Sequence, residues 1–587
     1  MTDFPALGEF ARYLESEGEL TRVRVEVDPK LEMTAIAVRA LKERKPALLF
    51  EKVKGSDIPV VMNLFASDRR IELALGRHPE QIGSELVGFF ERIMPPSAKL
   101  LWKERKTLTR FARSRARRVG SGSSQEVSAE VNLARLPVQV CWPADAGRFI
   151  TMGQVMTQDP VDAKRNVGIY RLQLYDERTT GMHWQIQKGG GFHYYRAERL
   201  GRDLEVAVVL GSDPALLLAS VAALPEEIDE VQFASFLRGK PFPLVKAKTI
   251  SMDVPANAEF ILEGVVPPRE RRMEGPFGDH FGHYSAAAPF PVFHVRHIAQ
   301  RRNPVYPAIV VGRPPMEDKF LGDASQKILG PLARLIHKEV RDLWAYSEAG
   351  FHNLLVVAVE ERYKKEALKA ALGLLGTGQL SLTKTLILVS EEVPVADWRS
   401  VLRAVRESFD PRYDFLLLPN VALDTLDFTS YKMELGSKMI IDATTKDRPR
   451  PHHVTRNLPE LVRRIDRSIV DAELEEDCLL KVKVRGKGRD ILERLVRHRD
   501  VRFIPVVACV SEDVNIRDRE DSIWGIFTRF DCQRDVTFTE KKLVGASPLY
   551  GGAMGIDATW KRGYPDPLVM KDSIVRKVEN RWEQYWR

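Results

Sequence analysis

FPLVKAKTISMDV (242–254), AEFILEGVV (258–266) and PFPVFHVRHIA (289–299) decide the fold at the centre of this chain. Short apolar runs, two of them alternating with polar residues, are punctuated by Gly and Pro, which is the pattern of strands. Several such runs in succession imply an antiparallel sheet or barrel, and the pattern extends from about residue 126 to 315. Upstream, Leu7, Phe10, Leu14 and Leu20 fall at mostly helical spacing within 6–21, before the alternating TRVRVEV (21–27). A second helical pattern covers 32–43, and ALLFEKV (47–53) and IPVVMNLF (58–65) read as short buried strands, so an α/β domain precedes the sheet.

Basic residues dominate 103–118, with Arg110, Arg113, Arg115, Arg117 and Arg118, and GSGSS at 120–124 then breaks the periodicity. We place the first boundary there. The run suits either phosphate neutralisation on a nucleic acid or a solvated helix end beside a linker. With 89 Lys+Arg against 81 Asp+Glu, the net charge of +8 is too even for a dedicated nucleic-acid binder.

Downstream, four landmarks recur in one order. LLVVAVEERYKKEALKAAL from Leu354 resembles LLKVKVRGKGRDILERLV from Leu479, and VSEEV (389–393) matches VSEDV (510–514). SFDPRYD (408–414) matches RFDCQRD (529–535), and GSKMIIDATTK (436–446) matches GGAMGIDATWK (551–561). Two copies are too few for a solenoid, so tandem α/β domains are expected. Lys384 and Lys438 of the first copy are replaced by Pro505 and Ala553 in the second, so cationic contacts to a phosphate survive only in the first. The closing stretch 570–587 is an amphipathic helix with Ile574, Val578, Trp582 and Trp586 on one face. The expected parts are 1–118, 125–323, 324–450, 470–565 and 566–587.

At 587 residues and 44% hydrophobic, the chain can bury several cores, and disordered and fibrous classes are excluded. Its four cysteines, Cys141, Cys478, Cys509 and Cys532, form no CxxC pair, which argues against a disulfide framework or thiolate zinc site and for a reducing cytoplasm. MTDFPALGEF is no secretory signal, and no apolar run reaches the roughly 18 residues of a membrane span.

In NVGIYRLQLYDERTTGMHWQIQKGGGFHYY (166–195), Asn166 and Arg171 lie close together and Lys188 precedes three glycines, either a hairpin turn or a loop close to an anionic ligand. EGPFGDHFGHY (274–284) sets Glu274 and Asp279 five apart on a Gly/Pro loop, where mutual repulsion can keep one carboxyl protonated. His280 and His283 are weak metal-ligand candidates. Glu230 lies at the edge of an apolar segment, and PPMEDK (314–319) gathers Glu317, Asp318 and Lys319 in a surface turn or at a strand end facing a pocket. Walker, GxGxxG, HExxH and GxSxG signatures are absent.

Taken in order, NLFASDRRIELALG, CWPADAGRFIT, NVGIYRLQ, DEVQFASFLRG, AEFILEG, EGPFGDHFGHY and GSKMIIDATTK resemble the UbiD family of reversible decarboxylases, from residue 1 to about 450. The resemblance implies an N-terminal α/β domain, a flavin-reductase-like split β-barrel and a C-terminal α/β domain used in oligomerisation. It implies decarboxylation, or carboxylation, of an aromatic, heteroaromatic or α,β-unsaturated acid through a covalent prenylated-FMN adduct. Arg171, Glu274 and Asp279 match the catalytic positions, with Asp279 as proton donor. Ile169, Tyr170, Arg171, His183, Trp184, Gln185, Lys188 and Gly189 match flavin contacts, and Lys384 matches the lysine paired with its phosphate.

Asn166 and Glu230 match ligands of a divalent metal, manganese or magnesium, with potassium as a further cation. The family's third ligand is histidine, but this position holds Gln187; His183 and His193 lie four and six residues away. The implied partners are the acid, carbon dioxide, a flavin prenyltransferase as cofactor supplier, and further copies of the chain as a dimer or hexamer. The extra copy near 479–561 and the length it adds point to a bulky naphthoate-type acid. A flavin-dependent oxidoreductase and a non-catalytic subunit of a larger carboxylase are the competing functions.

Overall fold

The computed structural model describes residues 4–93, 97–105, 108–109, 115–185, 187–224, 228–446 and 455–587. One unit comprises Met1–Gly312, Met316–Leu329 and Pro567–Arg587; the other comprises Arg313–Pro315 and Gly330–Asp566.

In the first unit, the leading amphipathic stretch forms the helix Leu7–Ser16, which buries Leu7, Phe10 and Leu14. Leu20 opens the strand Leu20–Val23 instead of continuing the helical face, because the chain turns at Gly18, whose φ of 75° suits glycine. That strand pairs in parallel with Ala47–Phe50, which runs antiparallel to Val60–Met62, and Tyr306–Pro307 completes a four-stranded sheet. The basic run divides: Arg110 and Arg113 lie outside the described residues, whereas Arg117–Arg118 is a short strand beside Pro243–Lys246. Arg118 grips Asp253 through Nε at 3.0 Å and Nη2 at 2.7 Å, so this end of the run belongs to a sheet and not to a solvated helix.

The central strands form one antiparallel sheet in the order Arg271–Glu274, Ala288–Gln300, Phe260–Val266, Leu204–Leu210, Phe149–Gln158 and Arg165–Gln173, with Val127–Ala129 and Thr179–Gly181 also on Ala288–Gln300. Among the described residues the path stays open, with no closed barrel. Phe260–Val266 is buried at every position, including Glu263, whose carboxylate accepts from the Lys248 and Thr249 amides. A register shift follows Glu263, and a side chain at Gly264 would meet the His294 carbonyl. The glycines 189–191 do not make a hairpin: they open the helix Gly189–Leu200.

The second unit holds two five-stranded sheets with one strand order. The first runs Val340–Ala345, Leu354–Val359, Thr385–Ser390, Leu435–Ala443, Phe415–Ala422; the second runs Ile469–Glu475, Leu479–Val484, Val506–Val510, Ser547–Ala558, Val536–Val544. Each starts and ends with an antiparallel pair around two parallel pairs. Trp398, Ile387, Met439, Ala508, Trp524 and Ile556 belong to one apolar cluster fed by both sheets. All four cysteines are free and buried, and among the described residues no helix is long and apolar enough to cross a membrane.

Candidate active site

Arg171 lies on Arg165–Gln173, at one end of the antiparallel sheet, and Glu274 is the last residue of the strand at the other end. Glu274 therefore sits on regular structure and not on the loop expected for it. Arg171 donates from Nε to Glu274 Oε1 at 2.9 Å and from Nη2 to Oε2 at 3.1 Å, a bidentate pair, while Nη1 bonds Asp279 Oδ2. The guanidinium is buried and stands 5.0 Å from the Phe277 ring centre. His183 Nδ1 lies 3.0 Å from Glu274 Oε2.

Burial alone would raise the Glu274 carboxyl, but the His183 hydrogen bond and the Arg171 charge outweigh it and hold the group below its ordinary value. Asp279 likewise resists burial: the His280 hydrogen bond and Arg171 hold it well below the usual range. Burial, and then Arg171, keep the His183 ring neutral to lower pH than usual. The resting cluster is thus one fixed cation between two carboxylates.

The loop bearing Asp279 is held by groups that sequence reading passed over. Asp145, within CWPADAGR, accepts the amides of Cys141 at 2.9 Å, Trp142 at 2.7 Å and Gly278 at 2.8 Å. Burial pushes its carboxyl up to about 6. Gln173 Oε1 accepts the Gly275 amide at 2.8 Å, where φ is 87° and only glycine is unstrained. Gln173 lies two residues beyond Arg171 on one strand face, so alternation was the available signal; for Asp145 the signal was an acid inside a Pro/Gly loop. His280 donates its amide to Asp279 Oδ1 at 2.7 Å and brings Nδ1 within 2.9 Å. Glu317 is no surface turn: it is buried at the start of the helix Glu317–Leu329 and accepts the Asn63 and Phe65 amides. Asp318 follows it, pushed up to about 6 by burial.

On the same strand as Arg171, Asn166 Nδ2 donates to Glu230 Oε1 and the Val167 amide to Glu230 Oε2, each at 2.9 Å. Glu230 opens the helix Glu230–Arg238, and burial raises its carboxyl to about 7. Asn166 Oδ1 is buried without a partner, an amide oxygen beside a carboxylate that suits a hard cation. Gln187 is half-buried in the left-handed region, φ 58°, and no described contact joins it to that pair. His183 is engaged by Glu274, and His193 Nδ1 by Thr157 Oγ1 at 2.8 Å, so neither imidazole replaces it. Among the described residues no three His, Cys, Asp or Glu side chains are placed to hold a metal.

Trp184 Nε1, a donor, and His183 Nε2, the acceptor nitrogen of a neutral ring whose Nδ1–H faces Glu274, are also buried without partners and available to a polar ligand. Trp184 stands edge-on to Tyr170, ring centres 5.1 Å apart, and Lys188 Nζ lies 5.8 Å from the Tyr170 ring centre. The backbone comes close here: a side chain at Gly189 would stand 2.7 Å from Asn166, and one at Gly190 2.6 Å from Trp184. Ile169 and Gln185 are half-buried on the same segments. These groups fit a large polar cofactor such as a flavin. Lys384 belongs to the other unit, where its ammonium is fully buried 2.9 Å from Asp427, so in this structure it is committed to a carboxylate and not exposed to a phosphate. Lys438, in that unit, donates to the Ser381 and Thr383 carbonyls, and burial lowers it to about 8.

Family profiles of the 3-octaprenyl-4-hydroxybenzoate carboxy-lyase match along the chain: its N-terminal domain at 11–89, its Rift-related domain at 117–314, and its C-terminal domain at 319–443 and 470–558. A Chlamydia pneumoniae protein named as one of the subunits of a 4-hydroxybenzoate decarboxylase is 35% identical over 581 residues, 97% of each chain. An uncharacterised Archaeoglobus fulgidus protein is 45% identical over 458 residues, 78% of this chain and 94% of that one. Among solved structures, the UbiD-class enzyme HmfF of Pelotomaculum thermopropionicum in complex with prFMN is 29% identical, with a TM-score of 0.63 over 78% of this chain and 98% of that one. Vanillic acid decarboxylase of Sedimentibacter hydroxybenzoicus is 27% identical, with a TM-score of 0.68 over 78% and 96%. Matched from its N-terminal domain through its C-terminal one, and built around a buried arginine between two carboxylates, the chain belongs to the UbiD family and is a UbiD-like carboxy-lyase, a decarboxylase.

Proposed function

We propose that this enzyme releases carbon dioxide reversibly from an aromatic, heteroaromatic or α,β-unsaturated acid at Arg171, Glu274 and Asp279, with prenylated FMN as its cofactor. The observation that carries the reading is the buried guanidinium held by both carboxylates, close to the partnerless His183 Nε2. Prenylated FMN, when bound, supplies the sink for the electrons left on carbon as carbon dioxide departs.

Glu274 fixes the plane of Arg171, and the guanidinium orients the substrate carboxylate. Each turnover consumes one proton: the carboxylate leaves as carbon dioxide and the carbon it left gains a hydrogen. Asp279 is ionised at rest, so it must take up that proton. An entering carboxylate places a like charge beside it and competes for Arg171, and both effects favour protonation. Asp279 Oδ2 then delivers the proton to carbon. His183 holds Glu274 in place through Nδ1.

Ile169, Tyr170, Trp184, Gln185, Lys188 and Gly189 would hold the flavin, and Asn166 and Glu230 would hold a divalent cation, manganese or magnesium, that would supply positive charge for its phosphate. Gln187, potassium, the split-barrel layout in five parts, the dimer or hexamer, and the prenyltransferase as supplier belong to the same proposal. The extra sheet in the second unit supports a bulky, naphthoate-type acid. A second reading, one subunit of a larger decarboxylase, is favoured by the name of the Chlamydia relative, which makes it part of such an assembly.

The test is the protein co-produced with a flavin prenyltransferase, assayed for carbon dioxide release from 4-hydroxybenzoate, vanillate, 3,4-dihydroxybenzoate and 2-naphthoate. Glu274→Gln should lower kcat by about 10²–10⁴-fold with flavin content unchanged. Full activity in that variant removes Glu274 from the chemistry; NADPH oxidation with plain FMN would favour an oxidoreductase.

A further inference from the structure

The chain leaves the first unit after Leu329 and rejoins it at Pro567, and this returning segment meets the loop that carries Asp279. Pro567 bridges antiparallel to His283, and the Leu568 amide donates to the Gly282 carbonyl at 2.9 Å. Gly282 closes the turn that displays Asp279: its amide donates to the Asp279 carbonyl at 2.9 Å, and the Asp279 amide to the His283 carbonyl at 3.1 Å. The buried Leu568 side chain packs where Gly278 lacks one; a side chain there would stand 2.9 Å from Leu568 Cδ2.

The segment has a second anchor at Glu32. Glu32, 1% exposed, accepts from Lys577 Nζ at 2.8 Å, Arg581 Nη1 at 2.6 Å and Tyr585 Oη at 3.0 Å. Arg39 covers the Trp582 ring at 4.1 Å, and Val578, Trp582 and Tyr585 enter the core of the first unit. Between the two attachments Val569 is exposed while Met570 packs against the core of the first unit, and the helix Asp572–Arg581 follows.

We propose that Pro567–Trp586 is a strap that fixes the Asp279 loop, with Leu568 as a positioning residue and the Glu32 anchor holding the strap taut. This deepens the decarboxylase reading and rests on it for the role of Asp279. A proton donor has to be held to within a fraction of an ångström, and misplacement by about 1 Å costs about 10²-fold in rate. Asp145 and Gln173 hold the first half of the loop, at Gly278 and Gly275. The strap holds the second half.

Two variants of the full chain test it. Leu568→Ala removes the contact, while Lys577→Glu with Arg581→Glu repels the strap from Glu32 without touching the loop. Hydrogen–deuterium exchange of the peptide spanning 275–284 should quicken at least about tenfold in both, with the sheets unchanged. In the prenylated-FMN holoenzyme, kcat should fall about tenfold or more while KM and flavin content hold. Release of 567–587 in the charge-reversed variant, with exchange at 275–284 and kcat as in wild type, overturns the proposal. If that variant does not fold, unchanged exchange in Leu568→Ala does the same. A wild type that decarboxylates none of the four acids counts against the functional reading, and the exchange data still decide whether the strap holds the loop.

Discussion

Arg171 and Glu230 are buried ionisable groups with opposite consequences. Arg171→Met leaves Glu274 and Asp279 without their cation in a buried site, and a pair broken this way costs about 3–5 kcal/mol. Both carboxyls are held below the roughly 3.9–4.3 of an unfolded chain, so their stabilisation is present above that range and is lost as pH falls below it. The variant should melt lower at pH 7, and the difference from wild type should begin to narrow only below about pH 4 and persist to lower pH, because wild-type Asp279 stays ionised well beneath the usual range; thermal unfolding measures it. Glu230 has the reverse sign: its value of about 7 means that it is largely protonated at pH 6. If Glu230 holds the proposed divalent cation, the cation has to displace that proton, and manganese affinity should be about tenfold weaker at pH 6 than at pH 8. A pH-independent titration would place the cation elsewhere.

Among elements, the strand Arg165–Gln173 does most for the site. Alternation puts Asn166 and Tyr170 on one face and Arg171 and Gln173 on the other, so one strand serves both the Asn166–Glu230 pair and the acidic cluster. The helix Gly189–Leu200 opens against it, and its glycines answer to close approach instead of to a turn. Gly190→Ala would drive a methyl into the Trp184 ring and the Tyr170 hydroxyl. It should cost about 1–3 kcal/mol of stability and displace bound flavin, read by melting temperature and by flavin content. At the C-terminus, the helical face read as Ile574, Val578, Trp582 and Trp586 changes after Arg581: a 3-10 turn from Trp582 to Trp586 brings Tyr585, three residues after Trp582, into the core.

At the scale of the molecule, the second unit joins its two sheets through one core. Trp524 is fully buried there, with the Arg529 guanidinium 4.4 Å from its ring centre, and it shares a cluster with Trp398 of the first sheet. Trp524→Ala should cost about 3–5 kcal/mol, and both sheets should lose exchange protection together. Loss confined to the second sheet would mean two separate cores. The repeated landmarks fall on matching elements: LLVVAV and LLKVKV are second strands of their sheets, and GSKMIIDA and GGAMGIDA lie on the fourth.

What residue order determined by itself was local or periodic. Alternation announced the central strands, four repeated landmarks announced the paired sheets, and the family motifs marked Asn166, Arg171, Glu230, Glu274 and Asp279. Tertiary structure alone decided which charges meet. That Arg171 holds two acids more than 100 residues away, that Lys384 is committed to Asp427, and that Glu32 anchors a segment over 540 residues further on depend on long-range packing. Ionisation followed from the same packing. Burial sets Glu230 and Asp145 high while charge and hydrogen bonds set Asp279 low, because the cost of a charge depends on what surrounds it and not on its neighbours in sequence.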